Sequence, residues 1–174
     1  SPPGPDCGQS HGELVAQGRQ EEGRRYFKRA LSMNPDDARV HNDLALIIGA
    51  ADAEAAIAHF EKALQIAPNF TLALNNWGNL LAELNRLDEA EQKYREALQV
   101  REEDEYAWYN LARLAERKGN VEEAEQSYLS AMQNSPENSH IPITWDRCMR
   151  ARGATKRGNR WKEGACSMIK SWLL

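Results

Sequence analysis

The chain has 174 residues, 28% of them charged and 41% hydrophobic, with a formal net charge of −4. That is enough apolar material for one folded domain or one short repeat array, and the composition is not that of a disordered chain. No stretch approaches the ~20 apolar residues of a membrane-spanning helix, the first residues carry no signal-peptide pattern, and the widely spaced Cys7, Cys148 and Cys166 make no disulfide framework.

Residues 1–9, with Pro2, Pro3 and Pro5, read as a flexible N-terminus. A weak helix is expected over 11–17 and a firmer one over 20–33. Three helix pairs follow: 38–49 with 53–66, 71–84 with 87–100, and 105–118 with 121–134. The second helices carry the clearest signal. Gly23, Ala56, Ala90 and Ala124 recur at spacings of 33, 34 and 34 residues. Four residues on stand Phe27, Phe60, Tyr94 and Tyr128, and three further on Ala30, Ala63, Ala97 and Ala131. Small, aromatic and small residues at i, i+4 and i+7 share one helix face. The small residues let a neighbouring helix come close, and the ring fills the space between. Pro35, Pro68 and Pro136 end three of the four units, because proline cannot continue a helix; Glu102 holds the remaining place.

The first helices repeat as well. Leu44, Trp77 and Leu111 share a position, each followed by a small residue, Ala45, Gly78 or Ala112. Asn85 and Gly119 fall at the turns between paired helices, where a left-handed backbone is often needed. The second unit is one residue short, in its Gly49-Ala50-Ala51-Asp52 turn. Acidic groups such as Glu102-Glu103-Asp104-Glu105 and Glu122-Glu123 are expected as solvated charges at turns and helix starts.

The pattern stops after Pro136. Residues 1–138 carry a net charge of −10 and residues 139–174 one of +6. Two helices, 143–152 and 160–173, are expected in this basic segment, the second with an apolar stripe of Trp161, Ala165, Met168, Ile169 and Trp172. Three readings stand for it. It is a capping helix over the end of the array, or a basic, Trp-bearing patch for nucleic acid or anionic membrane, or non-native sequence.

Nothing in the chain points to catalysis. No glycine-rich phosphate loop appears, and His41 and His59 read as ordinary helix residues without a nucleophile at meaningful spacing. Cys7, His11, Cys148 and Cys166 do not match a zinc-ligand spacing. The expectation is a non-enzyme with no cofactor and no metal.

A period of about 34 residues with two helices per unit resembles the tetratricopeptide repeat. The resemblance is close over residues 38–136. It implies an all-α, right-handed superhelical solenoid of about four repeats spanning 10–138, divided at about 10–37, 38–70, 71–104 and 105–138. A C-terminal capping segment would follow. In this family the first helix of each pair lines a concave groove. Transferring its frame gives Asn42, Asn75, Asn76, Asn79, Tyr106, Tyr109, Asn110 and Arg113 as the candidate peptide-binding residues. Asparagine is a poor helix former, so its density here calls for a reason. One amide can bond both backbone groups of an extended peptide. Asn76 and Asn110, one repeat apart, resemble the asparagine ladder of the O-linked N-acetylglucosamine transferases, with Asp43 at the equivalent place in the second unit. The chaperone-binding subclass instead clamps a C-terminal carboxylate with lysines. Its slots hold Asn42 or Asn75 and Leu72 or Tyr106 here, which argues against that clamp.

The resemblance therefore implies a protein-interaction module, a scaffold or adaptor taking a peptide segment of a partner. Two alternatives remain: a substrate-recruiting arm of a larger glycosyltransferase-like enzyme, and a structural solenoid that assembles into a homo-oligomer. Reduced cysteines give a mild preference for the cytoplasm, and the compartment is otherwise unknown.

Overall fold

The computed structural model describes residues 11–134, with side chains from Arg19 onward. The candidate capping segment, Cys7, Cys148 and Cys166 lie outside the described residues. Within them the chain forms seven helices and no strand: α1 (His11–Met33), α2 (Ala38–Ile48), α3 (Ala53–Ile66), α4 (Thr71–Glu83), α5 (Leu87–Val100), α6 (Glu105–Lys118) and α7 (Val121–Asn134). One expectation is corrected. Helices over 11–17 and 20–33 are in fact a single continuous α1, because Gly18-Arg19-Gln20 contains no proline and no capping residue. An interior glycine costs a helix about 1 kcal/mol without ending it.

Helix boundaries follow local chemistry. The side chain of Asp37 accepts hydrogen bonds from the backbone amides of Arg39 and Val40, starting α2, and Asp52 accepts from Ala55, starting α3. Asn85 and Gly119 both adopt a left-handed backbone, with φ of 61° and 79°, and turn α4 into α5 and α6 into α7.

Each pair packs through the face the repeat predicts. Ala56, Phe60 and Ala63, then Ala90, Tyr94 and Ala97, then Ala124, Tyr128 and Ala131, are all buried. Gly78 shows why the small residue matters: a Cβ there would lie 2.5 Å from Cε1 of the Tyr94 ring. Trp77 fills the place of Leu44 and Leu111 and stacks on Phe60, ring centroids 6.4 Å apart.

Within a pair the helices pack most extensively, and successive pairs join through α3 with α4 and α5 with α6. The first helices also touch directly, α2 with α4 and α4 with α6, whereas the second helices of successive pairs do not pack to that extent. The array therefore bends toward its first helices, and α2, α4 and α6 line the inner face.

Candidate functional site

The eight candidate residues all stand on α2, α4 and α6, but they divide into two groups. Asn42 is only 1% exposed and Asn75 only 4%. The Asn42 amide donates to Asp43 Oδ1 at 3.0 Å, and its oxygen accepts from Asn76 Nδ2 at 2.9 Å. Asn75 Nδ2 donates to Asp104 Oδ2 at 3.3 Å. Both amides serve helix–helix contacts and do not open onto the groove.

Asp104 is itself a correction. Expected as a solvated charge, its side chain is fully buried. Its Oδ1 accepts from the backbone amides of Tyr106 and Ala107, capping α6. Its Oδ2 accepts from Arg101 at 2.8 Å and from Asn75. Four donors satisfy the carboxylate and tie α4 to the start of α6.

The other six candidates surround the open part of the inner face. Tyr106 is 59% exposed on α6, one repeat from the exposed Leu72 of α4. Asn76 reaches back one repeat to Asn42. Asn110 faces back one repeat in the same way, into a pocket of about 190 Å³ shared with Asn79, Ala82 and Glu83 of α4. Tyr94, Arg113, Leu114 and Arg117 complete its lining. The pocket unites three candidates, Asn79, Asn110 and Arg113. Tyr109 lies to one side, edge-on to Tyr128 at 5.9 Å, with the Arg113 guanidinium 5.9 Å from its ring.

Tyr94 is the pocket-lining residue that the sequence reading did not place here. Its hydroxyl donates to Asn79 Oδ1 at 2.8 Å. Burial pushes that hydroxyl well above its ordinary pKa, against the lowering influence of Arg113 and Arg117, so it stays a protonated donor. The bond orients the Asn79 oxygen toward Tyr94, and the Asn79 amide hydrogens have no partner among the described residues. Tyr128, one repeat on, donates to Glu116 Oε2 at 2.8 Å. The signal available in the sequence was the change from Phe27 and Phe60 to Tyr94 and Tyr128 at one repeat position.

Arg117 donates to the carbonyl of Ala82 at 2.7 Å, closing the C-terminal end of α4. Lys118 donates to Asp88 and Glu91, each at 2.6 Å, and these hydrogen bonds raise its pKa. Together they fix α6 against α4 and α5, so the pocket walls are set before any ligand arrives.

His41 and His59 meet elsewhere, between α2 and α3. Nε2 of His41 contacts the Pro35 carbonyl at 3.0 Å, and the two Nδ1 atoms are 2.9 Å apart. A carbonyl only accepts, so neutral His41 carries its hydrogen on Nε2. His59 Nδ1–H then donates to His41 Nδ1. Burial, His41 and Lys28 together lower the pKa of His59. Among the described residues no group of three His, Cys, Asp or Glu side chains is placed to hold a metal ion, and no helix is long and apolar enough to cross a membrane.

Comparison with known proteins agrees with this architecture. A family model for the tetratricopeptide repeat matches residues 13–69 and 75–139. A solved structure of PilF from Pseudomonas aeruginosa superposes with a TM-score of 0.71 at 21% identity, over 82% of this chain and 65% of that one. A MamA crystal structure gives 0.66 at 15% identity, covering 83% and 86% of the two chains, and a MamA double mutant 0.64 at 18%, covering 81% and 80%. At these identities the likeness is one of fold. No curated protein matches the sequence.

Proposed function

The chain belongs to the tetratricopeptide-repeat family, and from that premise we propose that it is a protein-interaction module whose inner face, formed by α2, α4 and α6, takes an extended peptide of a partner. One observation carries the reading. Asn110 and Arg113 make no hydrogen bond or salt bridge among the described residues, on a face where the neighbouring polar side chains Asn42, Asn75 and Arg117 are all engaged. An amide and a guanidinium held beside each other by packed helices, with donors to spare, suit a peptide backbone and its side chains. Exposed Leu72 and Tyr106 add apolar contact on the same helices. Neutral hydrogen bonds contribute only about 0.5–1.5 kcal/mol each, so a few such contacts support binding no tighter than roughly micromolar.

Panning a random peptide display library against the chain provides ligands for the test. Affinities of the enriched peptides are then measured for the wild type and for Asn110→Ala. Binding lost in the variant, with thermal stability retained, supports the groove. Unchanged binding refutes it.

A further inference from the structure

Resting on that reading, we propose that the pocket between α4 and α6 is a subsite for an acidic side chain, aspartate or glutamate, within the bound peptide.

Its donors outnumber its acceptors. Arg113 contributes a guanidinium with no salt bridge among the described residues, and Arg117 a second charge, although its Nη1 bonds the Ala82 carbonyl and its Nη2 reaches Asn85 Oδ1 at 3.4 Å. The Asn79 oxygen is oriented toward the Tyr94 hydroxyl, so Asn79 presents its amide hydrogens. Asn110 makes no hydrogen bond among the described residues. Against these stands one carboxylate among the lining residues, Glu83. Two cations and one anion leave a positive site, and spare N–H groups prefer an ionised acceptor over a neutral one. About 190 Å³ admits a carboxylate side chain but no large ring system.

The carboxylate belongs to an internal residue here, not to a chain end. The cations come from Arg113 and Arg117, outside the lysine slots of a terminal-carboxylate clamp, which hold Asn42 or Asn75 and Leu72 or Tyr106 here. Exposed Tyr106 sits two turns N-terminal to Arg113 on α6, about 10 Å away along the axis. A peptide running along α6 in the polyproline II conformation, at about 3.1 Å and a third of a turn per residue, spans that distance in three residues and brings the same face back to α6. The preferred ligand therefore carries an apolar residue against Tyr106 and an acidic residue three positions from it.

The same panning experiment tests this, because displayed peptides joined to the coat protein by their C-terminal ends offer no free carboxyl terminus. The expected result is enrichment of Asp or Glu three positions from an apolar residue. For a chemically synthesised, C-terminally amidated version of the most enriched peptide, replacing that acid by its amide should weaken binding roughly ten- to a hundredfold, the worth of a charge-assisted contact. Arg113→Gln should weaken the acidic peptide by a larger factor than the amide peptide, while Glu83→Gln should tighten the acidic one. Enriched peptides that need Asn110 but show no recurrent acid would overturn this subsite and leave the groove standing. Peptides indifferent to Asn110→Ala would overturn both.

Discussion

Replacing Asp104 by alanine removes more than a surface charge. Its carboxylate caps α6 through the amides of Tyr106 and Ala107, a role worth about 1 kcal/mol. It is also the acceptor for the buried Asn75 amide, and leaving that donor unpaired costs about 1–3 kcal/mol. The Arg101 contact adds little, because the Arg101 side chain is 56% exposed and solvent screens the pair. Together these give a destabilisation of about 2–4 kcal/mol. Asp104→Asn separates the two effects. Its oxygen keeps the cap, and Asn75 can turn over so that its oxygen, which has no partner at present, accepts from the new amide. That variant should lose only about 1 kcal/mol. Urea denaturation followed by circular dichroism at the helix band measures both. A loss below about 1 kcal/mol in Asp104→Ala would refute the reasoning, and with it the assignment of Asn75 to the interior.

Three further outcomes follow from the packing. Asn76→Ala should destabilise by about 1–3 kcal/mol, since it strips the donor from the buried Asn42 oxygen, whereas Asn110→Ala should stay within about 0.5 kcal/mol of the wild type; thermal melts compare them. In Gly78→Ala the new Cβ meets the enclosed Tyr94 ring, so overpacking outweighs the better helix propensity by about 1–2 kcal/mol and shifts the hydroxyl from Asn79, read as lower stability together with weaker peptide binding. His59 has a lower pKa folded than unfolded, so the folded chain binds fewer protons. Its contribution is complete above the ordinary histidine pKa and is lost as pH falls from there through the depressed value. The melting temperature should therefore drop as pH falls below the ordinary histidine range, and His59→Asn, which keeps a donor toward His41, should flatten that drop.

The helices were legible because their signals are local. The small–aromatic–small face and the closing prolines each act within a few residues, and the ends of α2 to α7 fall within one residue of expectation. Asn85 and Gly119 were readable for the same reason, as each residue type tolerates the left-handed turn it makes. The continuous α1 was not legible, because worn repeat positions look like a break when no residue there actually breaks a helix. The site was only half legible. A repeat frame places Asn42, Asn75, Asn76 and Asn110 on first helices, but not which amides a neighbouring helix has already claimed. That depends on distances across the array, such as Asn75 to Asp104, 29 positions apart. Tyr94 shows the same limit: its hydroxyl reaches from a second helix to Asn79, 15 positions back, and no local pattern announces it.

The central claim is that the ligand lies on the first helices against the unengaged polar groups. Nitrogen-15 NMR of the side-chain amides, with an enriched peptide titrated in, tests it most directly. The account predicts that the resonances of Asn79 and Asn110 move while those of Asn42 and Asn75 stay fixed. Movement confined to Gln65 and Gln99, which line the groove between α3 and α5, would contradict it.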